Sequence, residues 1–337
     1  MEVFLDESGS FRPSLPEDTG LASVMAVIVP ENQSHSMEGD FRRFLIDLPS
    51  DAFANGEAKG SRLSPGHVKQ LASMLNRHRG IMLAPVTVNT ALIKPSFFEV
   101  FPQRLRMVLE QEGQKCLHNK SRSEIAELAK RCANLSPEQL VRLITYTKAI
   151  LRSIEGVSLF YHCKKYHPYY SPFKVVLDRA GPPNGREELV FKQILFTWMI
   201  SMTKRTPIKG VKRIHNDSHP FVQLYRAKLD GADMLDVLKM LRGNIEFANS
   251  REIWQLQLAD MTTAAWAKSL LDRRNDDGYL PAFSLLHRNT VLPQDQPMGM
   301  ISVDEAYSQM EAPAEFEIFR KLAELGGKLL PCGWDEE

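Results

Sequence analysis

Cysteine is scarce: four residues in 337, Cys116, Cys132, Cys163 and Cys332, with no C-x-x-C pair among them. That spacing fits neither a disulfide scaffold nor a zinc ribbon, and it reads as reduced thiols. No apolar run approaches the roughly 18 residues a bilayer span needs. The best candidate, Gly20 to Pro30, has the length of a strand. The start lacks the basic and apolar segments of a signal peptide, so a cytoplasmic location and no membrane partner are expected. Charge of one sign is not in excess either, since 42 Lys and Arg face 41 Asp and Glu for a formal net charge of +1. The total therefore argues neither for nor against a nucleic-acid partner. Also missing are a G-x-S-x-G elbow, a P-loop, and a cysteine in a recognisable nucleophile setting. An aspartyl-phosphate phosphatase wants an acid two residues after its nucleophile, but Asp6 is followed by Glu7 and Ser8. No internal repeat or low-complexity tract is evident.

What is present, 43% hydrophobic and 25% charged residues, describes a globular chain with one large or two modest cores. The opening MEVFLDESG reads as a strand ended by a polar turn, and Leu21 to Val29 as a second, continuously apolar strand. A polar stretch then leads to Ser64, the expected N-cap of a helix carrying Val68, Leu71 and Leu75. Gly80 to Val88 reads as a third strand, and the pattern turns helical from about Pro95 to Ser158. Strands return at Phe173 to Leu177 and Asn244 to Phe247, with a weaker one at Val211 to Ile214. Helices are expected over about Glu187 to Ser201 and Glu252 to Leu271. The pattern predicts an α/β fold: a mixed sheet flanked by helices over 1–271, with a helical insertion at about 95–165. A loop-rich, acidic C-terminal extension follows over 272–337, with one helix expected near Ala314 to Glu324.

The distribution of charge says more than its total. Arg104 to Lys165 holds twelve basic and six acidic residues, whereas Pro293 to Glu337 holds three basic and ten acidic ones. Lys204, Arg205, Lys209, Lys212 and Arg213 form a run with no acid between them. Such clusters can neutralise phosphates, although a solvated helix face is the plainer reading of any one of them. In the stretch Tyr161 to His167, zinc would lack two suitably spaced ligands. Its aromatic residues could instead stack on a single strand while Lys164 and Lys165 track phosphates. Lys59, before Gly60 and Ser61, could bring an ammonium near a scissile phosphate or simply sit in a polar loop. His215 and Asp217 follow the weaker strand, as additional site residues or as a loop cap.

Acids at three places in the chain carry the functional reading. Asp6 and Glu7 follow Val3, Phe4 and Leu5, and Asp178 follows Val175, Val176 and Leu177, so both strands end in carboxylates. Glu7 neighbours Asp6 in an alternating strand and points the other way unless the turn begins at Asp6. Asp260 shares a helical stripe with Ile253, Leu256 and Ala264, which aims a carboxylate into an apolar face. A buried carboxylate needs a cationic partner such as Arg179, a hydrogen-bond cage or a metal. Acids from two strand ends and one helix can converge on one or two Mg²⁺ ions, and two ions about 4 Å apart suit in-line phosphodiester hydrolysis.

The same residues carry a resemblance. F-L-D-E-S-G-S-F (Phe4 to Phe11), V-V-L-D-R (Val175 to Arg179) and L-Q-L-A-D (Leu256 to Asp260), the last opening an Ala-rich helix, resemble the domain-of-unknown-function 3800 family. That family is similar to the RNase H-like superfamily in expected fold and acid placement, and its members often occur among mobile elements and phage-defence genes. The resemblance spans roughly 1 to 270. It implies a nuclease dependent on Mg²⁺ or Mn²⁺, acting on DNA or RNA, with Asp6, Glu7, Asp178 and Asp260 as catalytic and metal-holding acids. The rival expectation is a non-catalytic RNase H-like scaffold subunit. In either case a protein partner or a second copy would dock through the helical insertion or the C-terminal extension.

Overall fold

The computed structural model describes residues 1–13, 20–78, 80–114, 118–160, 173–179, 185–205, 224–229, 232–271, 277–279 and 299–300. The first run forms β1 (Glu2–Gly9), and the second forms β2 (Leu21–Val29), antiparallel to β1 from Glu2 opposite Val29 to Gly9 opposite Ala22. The strand does not stop at Asp6; pairing runs on to Gly9. Gly9 has φ +91°, and a Cβ there would lie 2.3 Å from the Leu21 carbonyl oxygen, so only glycine lets the two backbones meet in this way.

The polar stretch after Pro30 contains α1 (Glu31–Ile46), which buries only Met37, Phe41 and Phe44, spaced at one helical face. A small hairpin of β3 (Phe53–Ala54) and β4 (Glu57–Ala58) follows, turning at Asn55 and Gly56, both with left-handed φ. The Ser64 cap is present: its hydroxyl accepts from the His67 N–H while His67 Nδ1 accepts from the Ser64 N–H, opening α2 (Pro65–Arg77). Next comes β5 (Met82–Asn89), buried along its whole length and antiparallel to β2.

The helical block yields α3 (Pro95–Gln114), α4 (Asn119–Cys132) and α5 (Pro137–Phe160). Then come β6 (Lys174–Asp178), α6 (Arg186–Arg205), a hairpin of β7 (Arg226–Leu229) and β8 (Ala232–Leu235), α7 (Val237–Leu241), β9 (Ile245–Ala248), α8 (Trp254–Leu271) and the two-residue β10 (Gly299–Met300).

The main sheet has the order β10-β5-β2-β1-β6-β9. β2 runs antiparallel to both of its neighbours, β5 and β1, while β6 runs parallel to β1 and β9 parallel to β6. Alternation along β1 sorts the two cores. Val3 and Leu5 pack with Leu105, Leu109, Ile150 and Leu195 of the α3, α5 and α6 layer. Phe4 packs with Phe41, Leu71, Leu256 and Trp266 of the α1, α2 and α8 layer. The chain is therefore an α/β fold with a mixed sheet between two helical layers. The block expected as an insertion supplies one of those layers, with Val141, Tyr146 and Ile154 of α5 in the core under the sheet. Cys132 lies in that core as a free thiol whose pKa burial pushes up to about 12, which makes it a packing residue.

Two described pieces of the C-terminal segment rest on this body. Gly299 and Met300 pair in parallel with Val86 and Thr87, and the Tyr279 hydroxyl donates to the Leu63 carbonyl at 2.8 Å. The expected strand at 211–214 and helix at 314–324 lie outside the described residues. No helix among those described is long and apolar enough to cross a membrane.

Candidate functional site

Strand register brings two of the acids together. Leu5 of β1 pairs with Leu177 of the parallel β6, so the next residues, Asp6 within β1 and Asp178 at the end of β6, lie on adjacent strands at the same level. Phe4 and Val176, two positions earlier, face the α8 layer, and alternation turns Asp6 and Asp178 the same way. Asp260 lies on α8, in the layer that covers that face. Asp6 is only 8% exposed, and Asp178 and Asp260 are partly buried.

Each carboxylate is held by backbone. The Gly60 N–H donates to Asp260 Oδ2 at 2.9 Å, and the Ser250 N–H donates to Asp178 Oδ1 at 3.1 Å. Asp6 Oδ1 accepts from the Glu7 N–H at 2.7 Å, and the Thr263 hydroxyl of α8 donates to the Asp6 carbonyl at 3.3 Å. Gly60 is where the loop touches the helix. A Cβ there would stand 2.6 Å from the Asp260 carbonyl oxygen and 2.7 Å from Met261 Cα, both backbone atoms. Gly60→Ala should therefore cost at least about 1–3 kcal/mol through overpacking, read as a lowered denaturation midpoint. An unchanged midpoint would mean the loop does not bear on α8.

The acids feel one another. Burial raises the Asp6 pKa well above the usual carboxylate range, and Asp260 and Asp178 raise it further. Burial also raises Asp178, against the opposing backbone N–H groups of Ser250 and Arg179. Burial raises Asp260 as well, with the Gly60 N–H and the Lys59 ammonium only partly offsetting it. Between the unfolded and folded ionisation ranges the native protein thus holds more protons than the unfolded chain. The contribution of these acids to metal-free stability falls as pH rises from about 4 through that window, and levels off above it. Denaturation midpoints in chelator at about pH 5 and pH 8 should drop more for the wild type than for Asp6→Asn. Equal drops would acquit Asp6 of carrying the repulsion.

Glu7 stands apart from this group. Alternation turns it to the opposite face, where Oε1 lies 2.7 Å from Arg142 Nη2 of α5. Burial raises its pKa, opposed by Arg142 and by the neighbouring Tyr146 hydroxyl. Arg179, the cation considered for Asp260, goes elsewhere: Nη2 donates to the Phe247 carbonyl at 2.7 Å, and Nε lies 3.5 Å from Glu188 Oε1. Lys59 does feel the charge of two of the acids. Burial lowers its pKa, but Glu57, Asp260 and Asp6 outweigh that and the net shift is upward. Lys204 and Arg205 end α6, while Lys164, Lys165, Lys209, Lys212, Arg213, His215 and Asp217 lie outside the described residues.

A fifth acid was not singled out in the sequence. Glu57 is 6% exposed, with Oε2 2.7 Å from Lys59 Nζ, and its charge bears on both Asp178 and Asp260. The signal that could have found it is the Asn55-Gly56 turn, which fixes the following residue as the start of a returning strand.

The donor set consists of oxygens, as hard dications prefer. Among the described residues, Glu57 Oε1 is a buried acceptor with no hydrogen-bond partner. In donor chemistry the residues fit Mg²⁺ or Mn²⁺. In spacing they fall short of a closed cage, since no group of three or more acid, His or Cys side chains among the described residues is drawn together enough to hold an ion. Comparison of the chain with protein-family models, curated proteins and solved structures finds no match in any of the three.

Proposed function

We propose that this chain is a divalent-metal-dependent nuclease of RNase H-like architecture that hydrolyses phosphodiester bonds in DNA or RNA. The observation that carries the reading is the delivery of Asp6, Asp178 and Asp260 to one side of the sheet. They come from two adjacent strands and a covering helix, and Asp178 and Asp260 both raise the pKa of Asp6. A mixed sheet of three antiparallel strands continued by two parallel ones supports the RNase H-like part. A role in phage defence or on a mobile element rests on the resemblance of the D-E-S-G and L-Q-L-A-D motifs to the domain-of-unknown-function 3800 family.

Asp6, Asp178 and Asp260 would hold Mg²⁺ or Mn²⁺. When bound, these ions supply a nucleophile from water at neutral pH and neutralise charge on the departing oxygen. The chain's own contribution is to orient. Gly60 and Ser250 fix two carboxylates through backbone N–H groups, and such prepaid positioning lowers the barrier. Lys59 adds a positive charge beside the acids, where a phosphate would need one.

Incubating the protein with labelled single-stranded and duplex DNA and RNA, with Mg²⁺, Mn²⁺ or EDTA, tests the reading. Metal-dependent fragments from at least one substrate are expected. Binding without cleavage throughout would favour a non-catalytic scaffold. For the phosphate-tracking surface, neutralising Lys204, Arg205, Lys209, Lys212 and Arg213 should flatten the salt dependence of binding by roughly 0.7–0.9 log units per lost phosphate contact. An unchanged slope would assign that run to solvent.

A further inference from the structure

We infer that Arg142, acting through Glu7, is a positioning residue for Asp6: α5 grips β1 from the far face of the sheet and so fixes the backbone N–H that holds the Asp6 carboxylate. The inference rests on the nuclease reading and adds to it a residue on the face opposite the acids.

The register of β1 links the two faces. The Lys174 N–H donates to the Met1 carbonyl, so along β1 the backbone groups of odd-numbered residues turn toward β6. That pairing ends at Leu5 opposite Leu177. Glu7 is the next residue whose N–H faces that side. Lying past the end of the ladder, this N–H donates instead to Asp6 Oδ1 at 2.7 Å. Whatever fixes the Glu7 peptide therefore fixes the carboxylate.

Arg142 holds that peptide from α5. Alternation sends the Glu7 side chain to the opposite face, where Oε1 meets Arg142 Nη2 at 2.7 Å. The Arg142 guanidinium carbon lies 5.7 Å from the centre of the Phe11 ring, and Phe11 is buried. One turn back on α5, Glu138 lies 3.7 Å from Arg142 and accepts from Arg12 Nε at 3.1 Å. The helix thus holds the chain just after Asp6 at Glu7, Phe11 and Arg12. Stability alone does not account for the central pair. Arg142 Nε is buried with no hydrogen-bond partner among the described residues, and a half-buried ion pair returns little against apolar side chains of similar size. Apolar side chains do not supply direction, whereas a short bond to one carboxylate oxygen fixes where Glu7 stands.

The wild type, Arg142→Met, Arg142→Lys and the apolar pair Glu7→Leu with Arg142→Met should be compared by thermal melting and by hydrolysis of single-stranded and duplex DNA and RNA in Mn²⁺. The assay temperature is one at which circular dichroism shows all four folded. Arg142→Met should lower kcat roughly ten- to a hundredfold with KM little changed, the scale on which loss of a supporting partner or slight misplacement acts. Arg142→Lys keeps a charge opposite Glu7 and should recover part of that loss. The apolar pair should melt near the wild-type temperature yet keep the low kcat. In metal-free protein, the Glu7 amide of Arg142→Met should exchange hydrogen faster than in the wild type, while the amides of Val3 and Leu5 keep their rates. A role confined to stability gives another pattern: every folded variant turns over at the wild-type rate, and the Glu7 amide changes no more than those of Val3 and Leu5. That result overturns the inference and leaves the nuclease reading standing. A wild type that hydrolyses none of the substrates removes the reading, and the inference with it. Should Arg142→Met fail to fold, the apolar pair decides: a lowered kcat supports the inference, and a wild-type kcat refutes it.

Discussion

Asp260→Asn is expected to reduce hydrolysis by roughly 10⁴-fold or more, the scale on which removing one member of a catalytic unit acts. The fold should survive, since an asparagine oxygen can still accept the Gly60 N–H that now binds Asp260 Oδ2. Without metal the variant should melt no lower than the wild type. Burial and the charges of Glu57 and Asp178 all oppose ionisation at this position, and the amide carries no charge to oppose. With saturating Mg²⁺ the order should reverse, because only a protein that binds the ion in its native state gains stability from it. Circular dichroism melts with and without Mg²⁺, beside a cleavage assay, check all three parts. Wild-type turnover by a folded Asp260→Asn protein would remove this helix from the site.

Trp266→Ala should have the largest effect on stability, about 3–5 kcal/mol, the usual cost of truncating a buried aromatic side chain. Trp266 is 1% exposed and lies about one and two-thirds turns beyond Asp260 on α8. Its indole N–H donates to Thr87 Oγ1 of β5 at 2.7 Å, and Thr87 Oγ1 is in turn 2.8 Å from Ser23 Oγ of β2. Trp266 thus anchors the helix to two strands through packing and a buried polar chain. Trp266→Phe keeps most of the apolar area but strands the hydroxyl pair without its donor, so an intermediate loss is expected. Denaturant midpoints order the three proteins. Equal stability of Trp266→Ala and wild type would contradict the docking of α8 on the sheet.

Sequence pattern showed the strands flanking the site because each is an unbroken apolar run with a marked end. Val3 to Leu5, Leu21 to Val29 and Val175 to Leu177 all became strands of the main sheet; Asp178 ends its strand as the run implies, whereas β1 continues past Asp6 to Gly9. Helix α1 was hidden because three buried residues in sixteen leave a mostly polar text, although Met37, Phe41 and Phe44 keep helical spacing. The hairpin carrying Glu57 was missed for another reason: two-residue strands have no periodicity to read, and the Asn55-Gly56 turn is its one local mark. The role of Gly60 is purely tertiary, since its close approach to Asp260 and Met261 joins residues 200 positions apart. Glu7 followed from alternation once pairing was seen to continue to Gly9, which the polar composition of Glu7, Ser8 and Gly9 had disguised as a turn.

The central claim is that Asp6, on an interior strand of this sheet, serves metal-dependent phosphodiester cleavage. The most direct measurement compares release of labelled fragments by wild type and Asp6→Asn from the same DNA and RNA substrates, in Mn²⁺ and in EDTA. Circular dichroism confirms that both proteins are folded. The account predicts fragments from the wild type in Mn²⁺ alone and none from Asp6→Asn in either condition. Cleavage that persists in EDTA, or in folded Asp6→Asn at the wild-type rate, would contradict it.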